Sequence, residues 1–272
     1  MSAKRISASS YSNTAPLIWS FLYGKNRGRY ELILDNAPAR SAELLAQNRI
    51  DAALVPVIEY QRIENIFLVP NVCVGANEKV RSVCLVTKGE DLRDVKIVSL
   101  DISSRTSVAL TKIIFREFLG FEPEYKISKP NVTQMLNESD CALLIGDPAL
   151  MIADCETEKT KNRVRKFDLV ETWKSFTGFG FVFAMWMANI DKIEAAKTID
   201  FAEARDEGLS HLGEIISNYE SQISLEREDF KKYLSENISY SISDSMQNGL
   251  ELYYKLAEKH KLIEKNKPLQ FL

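Results

Sequence analysis

The chain has 272 residues, which is enough for one large domain or for two lobes of ordinary size. Its 45% hydrophobic residues, 27% charged residues and net charge of −3 describe an ordinary globular protein without the basic surface that nucleic-acid binding requires. No apolar stretch reaches the length of a membrane span or of a signal-peptide core, so we expect a cytoplasmic protein with neither a membrane nor a nucleic-acid partner.

The predicted elements alternate between strands and helices through the first two thirds of the chain. In order they are KRISAS, TAPLIWSFLYG, YELILD, PARSAELLAQN, DAALVPV, IEYQRIE, FLVPNVCVG, VRSVCLVT, VKIVSLD with the helix after it, EYKIS, NVTQMLNES, CALLIGD and PALMIAD. This alternation is typical of α/β units around largely parallel sheets. From Ile190 to Leu262, apolar residues recur at three- and four-residue spacing, which predicts an almost wholly helical C-terminal third.

The sequence contains no low-complexity linker, so two lobes would have to be joined inside ordered structure. The best crossing points are the extended apolar segments 80-VRSVCLVTKG-89 and 178-GFGFVFAMW-186. We therefore predict a discontinuous first lobe of residues 1–85 and 187–272 and an inserted second lobe of residues 86–186. A ligand would lie in the cleft between them.

Three polar corners follow predicted strands at points where helices begin. They are 9-SSYSNTAPL-17, the SSRTS corner at 103–107 and 144-LIGDPAL-150. Ligands of open parallel sheets bind beyond the carboxyl ends of strands, and helix N-termini with nearby hydroxyls favour anions. The crossing segment adds Arg81 and Ser82. These corners, if they face one cleft, predict a pocket for a small anion rich in oxygen atoms.

Each corner also has a purely structural interpretation. Asp147 before Pro148 is an ordinary helix start, and SSYSNT is equally consistent with a polar turn. Arg105 could pair with Glu117 or another acid. The aromatic run between Trp173 and Trp186 is more typical of core packing than of a stacking platform.

The cysteines and histidines form no recognisable metal or disulfide pattern. Three cysteines lie inside apolar runs and a fourth follows a helical segment: Cys73, Cys84, Cys141 and Cys155. His211 and His260 lie in charged helical stretches, where no motif supports a catalytic role. We expect no metal and no disulfide framework.

The chain resembles the MqnA family of chorismate dehydratases from menaquinone biosynthesis. The resemblance rests on SYSNTAPL, DAALVPV, RSVCLVT, SLDISSRTSVAL, ALLIGDPAL, the WKSFTGFGFVFAMW run and NISYSISDSMQNGLELYYKLAE, in order along nearly the whole chain. It implies the type II periplasmic-binding-protein fold, in agreement with the two lobes predicted above. It also implies dehydration of chorismate to 3-[(1-carboxyvinyl)oxy]benzoate, the first step of the futalosine route, without a cofactor.

The same resemblance implies roles for particular residues. The asparagine of the family's S-Y-x-N-T motif falls on Asn13 and the serine of its R-S-V segment falls on Ser82, which together resemble the catalytic pair. The corners and the crossing segment would supply the substrate-binding residues Ser10, Tyr11, Thr14, Arg81, Ser103, Ser104, Arg105, Thr106, Ser107, Gly146 and Asp147. The sequence departs from the family pattern at two places, where Ser12 replaces an apolar residue and Phe179–Gly180 replaces Leu-Pro.

The identity of the base is a separate hypothesis. Asp147 is the one acid in the polar corners with a predicted view of the cleft, and its place before Pro148 suits capping better than proton abstraction. Chorismate carries its own enolpyruvyl carboxylate, so we expect a substrate-assisted elimination with Asn13 and Ser82 orienting the two carboxylates. The alternatives are a solute-binding protein of the same fold, the related 1,4-dihydroxy-6-naphthoate synthase, and an effector-sensing regulator, which the lack of a helix-turn-helix extension disfavours.

Overall fold

The computed structural model describes residues 4–36, 38–152 and 164–272. Cys155 and most of the charged segment at 155–168 lie outside these ranges. The described strands are β1 (Lys4–Ser9), β2 (Tyr30–Asp35), β3 (Ala52–Pro56), β4 (Ile66–Ala76), β5 (Val83–Thr87), β6 (Ile97–Asp101), β7 (Glu124–Ser128), β8 (Cys141–Ile145), β9 (Arg165–Asp168) and β10 (Phe181–Asn189).

Helices follow most of these strands and fill the C-terminal third, as the sequence predicts. They are α1 (Ala15–Leu22), α2 (Pro38–Ala46), α3 (Ile58–Arg62), α4 (Thr106–Ile113), α5 (Val132–Glu138), α6 (Gly146–Leu150), α7 (Leu169–Thr177), α8 (Ile193–Lys197), α9 (Phe201–Ser210), α10 (Leu212–Tyr219), α11 (Arg227–Lys232) and α12 (Asp244–Lys259). Short 3₁₀ turns lie at Ser12–Thr14, Leu92–Asp94 and Ile190–Lys192, and π-helical turns continue α4 at Ile114–Leu119 and α11 at Tyr233–Asn237.

The strands form two five-stranded sheets. The first has the order β2-β1-β3-β10-β4 and the second the order β7-β6-β8-β5-β9. β1 pairs in parallel with β2 and β3, and β6 pairs in parallel with β7 and β8. The pairs of β10 and of β5 are antiparallel. The prediction of largely parallel sheets is therefore wrong, because the strand that enters each sheet from the other sheet runs against its neighbours.

The chain passes between the sheets twice, once between β4 and β5 and once between α7 and β10. The division into lobes stays a prediction. If the lobes are defined by the sheet to which each strand belongs, the two boundaries between them fall within residues 77–82 and 178–180. The sequence-based prediction places them at 85/86 and 186/187. The reason is that β5 lies whole in the second sheet and β10 lies whole in the first.

The core is continuous across both sheets. Buried side chains from β1, β3, β4, β6, β8 and β10 belong to one hydrophobic cluster, to which the C-terminal helices add α12 residues such as Tyr253 and Tyr254. Close packing at the second crossing depends on Gly249, where a β-carbon would come within 2.1 Å of the Gly180 carbonyl oxygen. Among the described helices, none combines the length and the apolar character that crossing a bilayer requires.

Candidate functional site

The three polar corners meet at one cavity between the sheets. Their contribution to its wall consists of Ser9, Tyr11, Asn13, Thr14, Ser103, Ser104, Arg105, Thr106, Ser107 and Gly146. The rest of the wall is apolar or small: Pro38, Leu54, Pro56, Val74, Val83, Ile145, Phe183 and Ala184. Within the described ranges, no acid and no histidine lines this cavity.

Asn13 presents its side-chain amide to the cavity. It lies in the 3₁₀ turn after β1 and is 9% exposed. Thr14 holds this turn, because its hydroxyl lies 2.6 Å from the Ser9 carbonyl oxygen and 2.8 Å from that of Tyr11. The Tyr233 hydroxyl is a hydrogen-bonding neighbour of the Asn13 side chain, and the side chain lines the cavity, where a ligand can contact it.

The start of α4 supplies a second set of donors. Ser104 and Ser107 line the cavity and are only 8% and 3% exposed. Neither side-chain hydroxyl has a hydrogen-bond partner among the described residues. The first N–H groups of a helix have no acceptor inside the helix and carry its positive end. Hydroxyls and amides here therefore form a donor cluster that suits a carboxylate.

Thr106 has a different role, because its hydroxyl is already used. The Thr106 hydroxyl lies 3.2 Å from the Phe183 carbonyl oxygen and 3.3 Å from the Ile58 N–H, and Tyr253 donates to the Thr106 carbonyl at 3.0 Å. α4 follows β6 of the second sheet, whereas β10 and α3 belong with the first. Thr106 thus ties the two halves together beneath the cavity.

Tyr11, Ser103 and Asp101 form a hydrogen-bonded chain along one wall. The Tyr11 hydroxyl donates to Ser103 Oγ at 3.3 Å, and Ser103 Oγ donates to Asp101 Oδ1 at 2.6 Å. Asp101 also accepts the N–H of Ser103 at 2.9 Å. Burial raises the pKa of Asp101 above its usual value, and the bonds from Ser103 partly offset this. Asp101 was not singled out in the sequence, although it ends the predicted strand at the SSRTS corner.

Gly146 allows Tyr11 to approach. Its φ of +66° lies in the left-handed region, and a β-carbon on Gly146 would come within 2.9 Å of the Tyr11 ring. A side chain at this position would therefore be strained and would also collide with the ring. The group that approaches the backbone closely at the LIGD corner is therefore the Tyr11 ring.

Arg105 lines the cavity, but its guanidinium is paired. Nη1 lies 2.9 Å from Glu59 Oε2 and Nη2 lies 3.1 Å from Glu43 Oε1. The alternative to anion binding in the sequence analysis is pairing with Glu117 or another acid. Glu117 instead pairs with Lys259 and His260. The present partners favour a structural role for Arg105, and its contact with substrate stays a prediction.

Four of the predicted site residues do not line the cavity: Ser10, Arg81, Ser82 and Asp147. The Ser10 hydroxyl donates to Asn36 Oδ1 at 3.3 Å. Arg81 makes a bidentate pair with Asp229 at 2.9 and 2.7 Å. This geometry gives Ser10 and Arg81 partners within the protein and does not bring them to a ligand in the cavity.

Ser82 and Asp147 lie just behind the wall. Ser82 is fully buried, and its carbonyl oxygen accepts the Gly146 N–H at 2.7 Å. The Asp147 carboxylate accepts the Ser12 N–H at 3.2 Å and also the Ser12 hydroxyl. Ser12, which departs from the family pattern, is therefore a partner of Asp147 and not part of the cavity wall.

The described residues contain no group of three or more potential metal ligands. The described cysteines Cys73, Cys84 and Cys141 are buried and form no disulfide. What the cavity can do follows from its donors: it can bind and orient a small anion, and it can stabilise negative charge that develops on that anion.

Comparison with known proteins gives a family and a fold. A family model described as menaquinone biosynthesis matches residues 4–259. The structure is similar to that of protein AF1704 from Archaeoglobus fulgidus, with a TM-score of 0.71 and 17% identity, covering 95% of this chain and 98% of that one. It is also similar to the zinc-bound ligand-binding component of an ABC-type import system from Staphylococcus aureus, with a TM-score of 0.63 and 15% identity, covering 99% and 94%. A third similar structure is the periplasmic aliphatic sulphonate binding protein SsuA from Escherichia coli, with a TM-score of 0.63 and 16% identity, covering 99% and 93%. At these identities the structural matches establish the fold, which is that of periplasmic binding proteins.

Proposed function

The chain belongs to the menaquinone-biosynthesis family, and from this premise we propose that it is a lyase that dehydrates chorismate to 3-[(1-carboxyvinyl)oxy]benzoate. The observation that carries the proposal is the chemistry of the cavity wall. The Asn13 amide and the hydroxyls of Ser104 and Ser107 are donors, and no described acid shares the wall. Chorismate is a dianion with a ring carboxylate, an enolpyruvyl carboxylate and a hydroxyl, so it needs donors of this kind.

The substrate supplies much of the driving force. Loss of water makes the ring aromatic, and the proton that must leave is on the ring carbon that bears the ether. That carbon is vinylogous to the ring carboxylate, so its electron pair can delocalise onto the carboxylate when the C–H bond breaks. Donors that bind this carboxylate more strongly as its charge increases lower the barrier. Asn13 and the start of α4 are the groups to which we assign this role.

The enolpyruvyl carboxylate is the base in this proposal. It takes the proton from the ether-bearing carbon, and the neighbouring C–O bond then breaks. The departing hydroxide leaves as water with that proton, so the reaction needs no oxidant, metal or external acid. The absence of an acid or histidine from the described wall supports this assignment. A tethered base has an effective molarity on the order of 10⁵ M or more when it is well oriented.

A solute-binding function is the second candidate, because the similar structures named above include the ligand-binding component of an import system and a sulphonate binding protein. Such a protein would bind chorismate or another small anion without turnover. The related 1,4-dihydroxy-6-naphthoate synthase reaction is a third candidate. The absence of a described histidine from the cavity wall counts against it.

The direct experiment is incubation of the purified protein with chorismate, followed by mass analysis of the small molecules. The proposal predicts a product lighter than chorismate by one water, formed in proportion to enzyme and time. Chorismate that is bound, as measured by calorimetry, but recovered unchanged would establish the solute-binding alternative. Chorismate that is neither bound nor converted would refute the dehydratase proposal and would also exclude chorismate as the ligand of a solute-binding protein.

A further inference from the structure

A tyrosine that the sequence did not single out lies between the two predicted catalytic residues. Tyr233 begins the π-helical turn after α11 and is fully buried. Its hydroxyl oxygen has no hydrogen-bond partner among the described residues. A buried hydroxyl without a partner is costly, and such atoms in native structures require an explanation.

The neighbours of this hydroxyl are Ser82 and Asn13. Burial raises the pKa of Tyr233 far above its usual range, while the side chains of Ser82 and Asn13, as hydrogen-bonding neighbours, act in the opposite direction. Neither contact is a well-formed hydrogen bond, so the Tyr233 hydroxyl oxygen is left without a partner. The three polar groups are therefore adjacent, and the phenol is a neutral hydrogen-bond donor at neutral pH.

The ring of Tyr233 is held firmly. It stacks on Phe230 with ring centroids 6.1 Å apart and an interplanar angle of 14°. The Arg81 guanidinium lies 5.9 Å from its centroid, and Arg81 is itself fixed by its bidentate pair with Asp229. A rigid ring with a free hydroxyl can orient a neighbouring side chain, because its own position does not change.

We propose that Tyr233 is a positioning residue that couples Ser82 to Asn13. The Ser82 hydroxyl, which in the structure lies 3.4 Å from the Val80 carbonyl oxygen, turns from that acceptor to donate to Tyr233 Oη, and the Tyr233 hydroxyl donates to Asn13 Oδ1. This direction turns the Asn13 NH₂ group toward the cavity, where it can donate to a carboxylate. The opposite orientation of the amide would place its carbonyl oxygen against the anion and repel it.

This arrangement accounts for the different exposure of the two members of the predicted catalytic pair. Asn13 lines the cavity, whereas Ser82 is fully buried behind it and reaches the cavity through no atom of its own. Ser82 therefore acts through Tyr233, and of this pair only Asn13 touches the ligand. The inference rests on the proposed function for the nature of that ligand, an aromatic or pre-aromatic carboxylate.

The first test does not depend on any ligand. Protein labelled with ¹⁵N-asparagine gives side-chain NH₂ signals, and the Asn13 signal is identified by its loss in Asn13→Ala. We expect Tyr233→Phe and Ser82→Ala each to shift this signal. Tyr125→Phe is the matched control, because Tyr125 is another tyrosine with a buried, unpartnered hydroxyl, and Ser82, Asn13 and Tyr233 are not among the groups that perturb it. An Asn13 signal that moves in neither Tyr233→Phe nor Ser82→Ala would overturn the proposal.

The second test is a double-mutant cycle on chorismate turnover. Tyr233→Phe and Ser82→Ala should each lower kcat by about tenfold, the factor that corresponds to loss of one hydrogen bond. Ser82→Ala introduced into Tyr233→Phe should add no more than about twofold, since Ser82 acts through the missing hydroxyl. Full additivity of the two changes would contradict the coupling. If the wild-type protein does not convert chorismate but the Asn13 signal shifts as expected, the proposed function is wrong and the positioning role of Tyr233 stands.

Discussion

The carboxylate of Asp147 accepts hydrogen bonds from the backbone N–H and the hydroxyl of Ser12, which joins the corner after β8 to the corner after β1. The two residues follow strands of different sheets, so this contact connects the two halves of the molecule directly behind the cavity. Burial is the largest effect on Asp147 and raises the pKa of its carboxyl above its ordinary value, while the bonds from Ser12 offset part of the rise.

The raised pKa predicts a specific dependence on pH. Well above the folded-state pKa, both the folded and the unfolded forms are ionised, and the folded form carries the cost of a partly buried charge. As the pH falls through the folded-state pKa, the folded form binds its proton first, so this carboxyl makes the protein more stable until the unfolded form is also protonated. Asp147→Asn removes this dependence.

The measurement is the free energy of unfolding of wild type and Asp147→Asn at about pH 7 and about pH 4. The free energy of unfolding of the variant, minus that of wild type, should be larger at the higher pH than at the lower pH. Asp191→Asn, at an exposed carboxyl, is the control for loss of one negative charge. A variant that is relatively less stable at the higher pH would mean that the Asp147 pKa is lowered in the folded protein, contrary to this account.

Gly146→Ala should destabilise the protein and displace Tyr11. The φ of +66° is unfavourable for alanine, and the new β-carbon would lie 2.9 Å from the Tyr11 ring. We expect a loss of about 1–3 kcal/mol in the free energy of unfolding, measured with denaturant. Gly213→Ala is the control, because a β-carbon there meets nothing within 4 Å and the residue lies in α10. A loss no larger in Gly146→Ala than in Gly213→Ala would show that Tyr11 does not need this close approach.

Arg105→Ala should cost stability because it leaves Glu59 with one partner fewer. The Glu59 side chain is 4% exposed, and its second partner, Arg62, remains. We expect a loss of about 1–3 kcal/mol in the free energy of unfolding. Arg93→Ala, which breaks the exposed pair with Asp91, should cost less stability than Arg105→Ala.

A second substitution identifies the cause of the Arg105→Ala effect. If the loss comes from an uncompensated Glu59 carboxylate, adding Glu59→Gln should restore part of it. The sequence-based prediction that Arg105→Ala weakens substrate binding is checked in the same variant by its KM. A large rise in KM with no change in stability would assign the Arg105 guanidinium to the substrate instead of to Glu59.

The fold was largely predictable because its elements have strong local signals. KRISAS and YELILD, which coincide with β1 and β2, are short runs of strand character bounded by turn residues, and Pro38 begins α2 as expected. The mixed pairing of the sheets was not predictable in this way. The direction in which β5 and β10 enter their sheets depends on where the chain crosses, and the local pattern does not contain that information.

For the site, the sequence predicts which polar corners meet at the cavity, but it does not predict which side chains pair with each other there. SYSNT, SSRTS and LIGD do meet at one cavity, because each follows a strand whose end faces it. The partners of Arg105 could not be predicted, since Glu43 and Glu59 belong to two separate helices. Tyr233 carried no signal at all, because a tyrosine in a helical stretch has the same pattern whether or not its hydroxyl reaches Asn13.

The central claim is that a donor on the cavity wall, and no acid of the protein, promotes elimination of water from chorismate. The measurement that tests it most directly is kcat at saturating chorismate for Asn13→Ala beside Asp147→Asn, with folding and binding verified for both. Asn13→Ala should lower kcat by about 10²–10³, the usual effect of removing one donor that stabilises developing charge. Asp147→Asn should retain most of the activity. Loss of turnover in a folded, chorismate-binding Asp147→Asn protein, with Asn13→Ala still active, would make Asp147 the base and contradict the account.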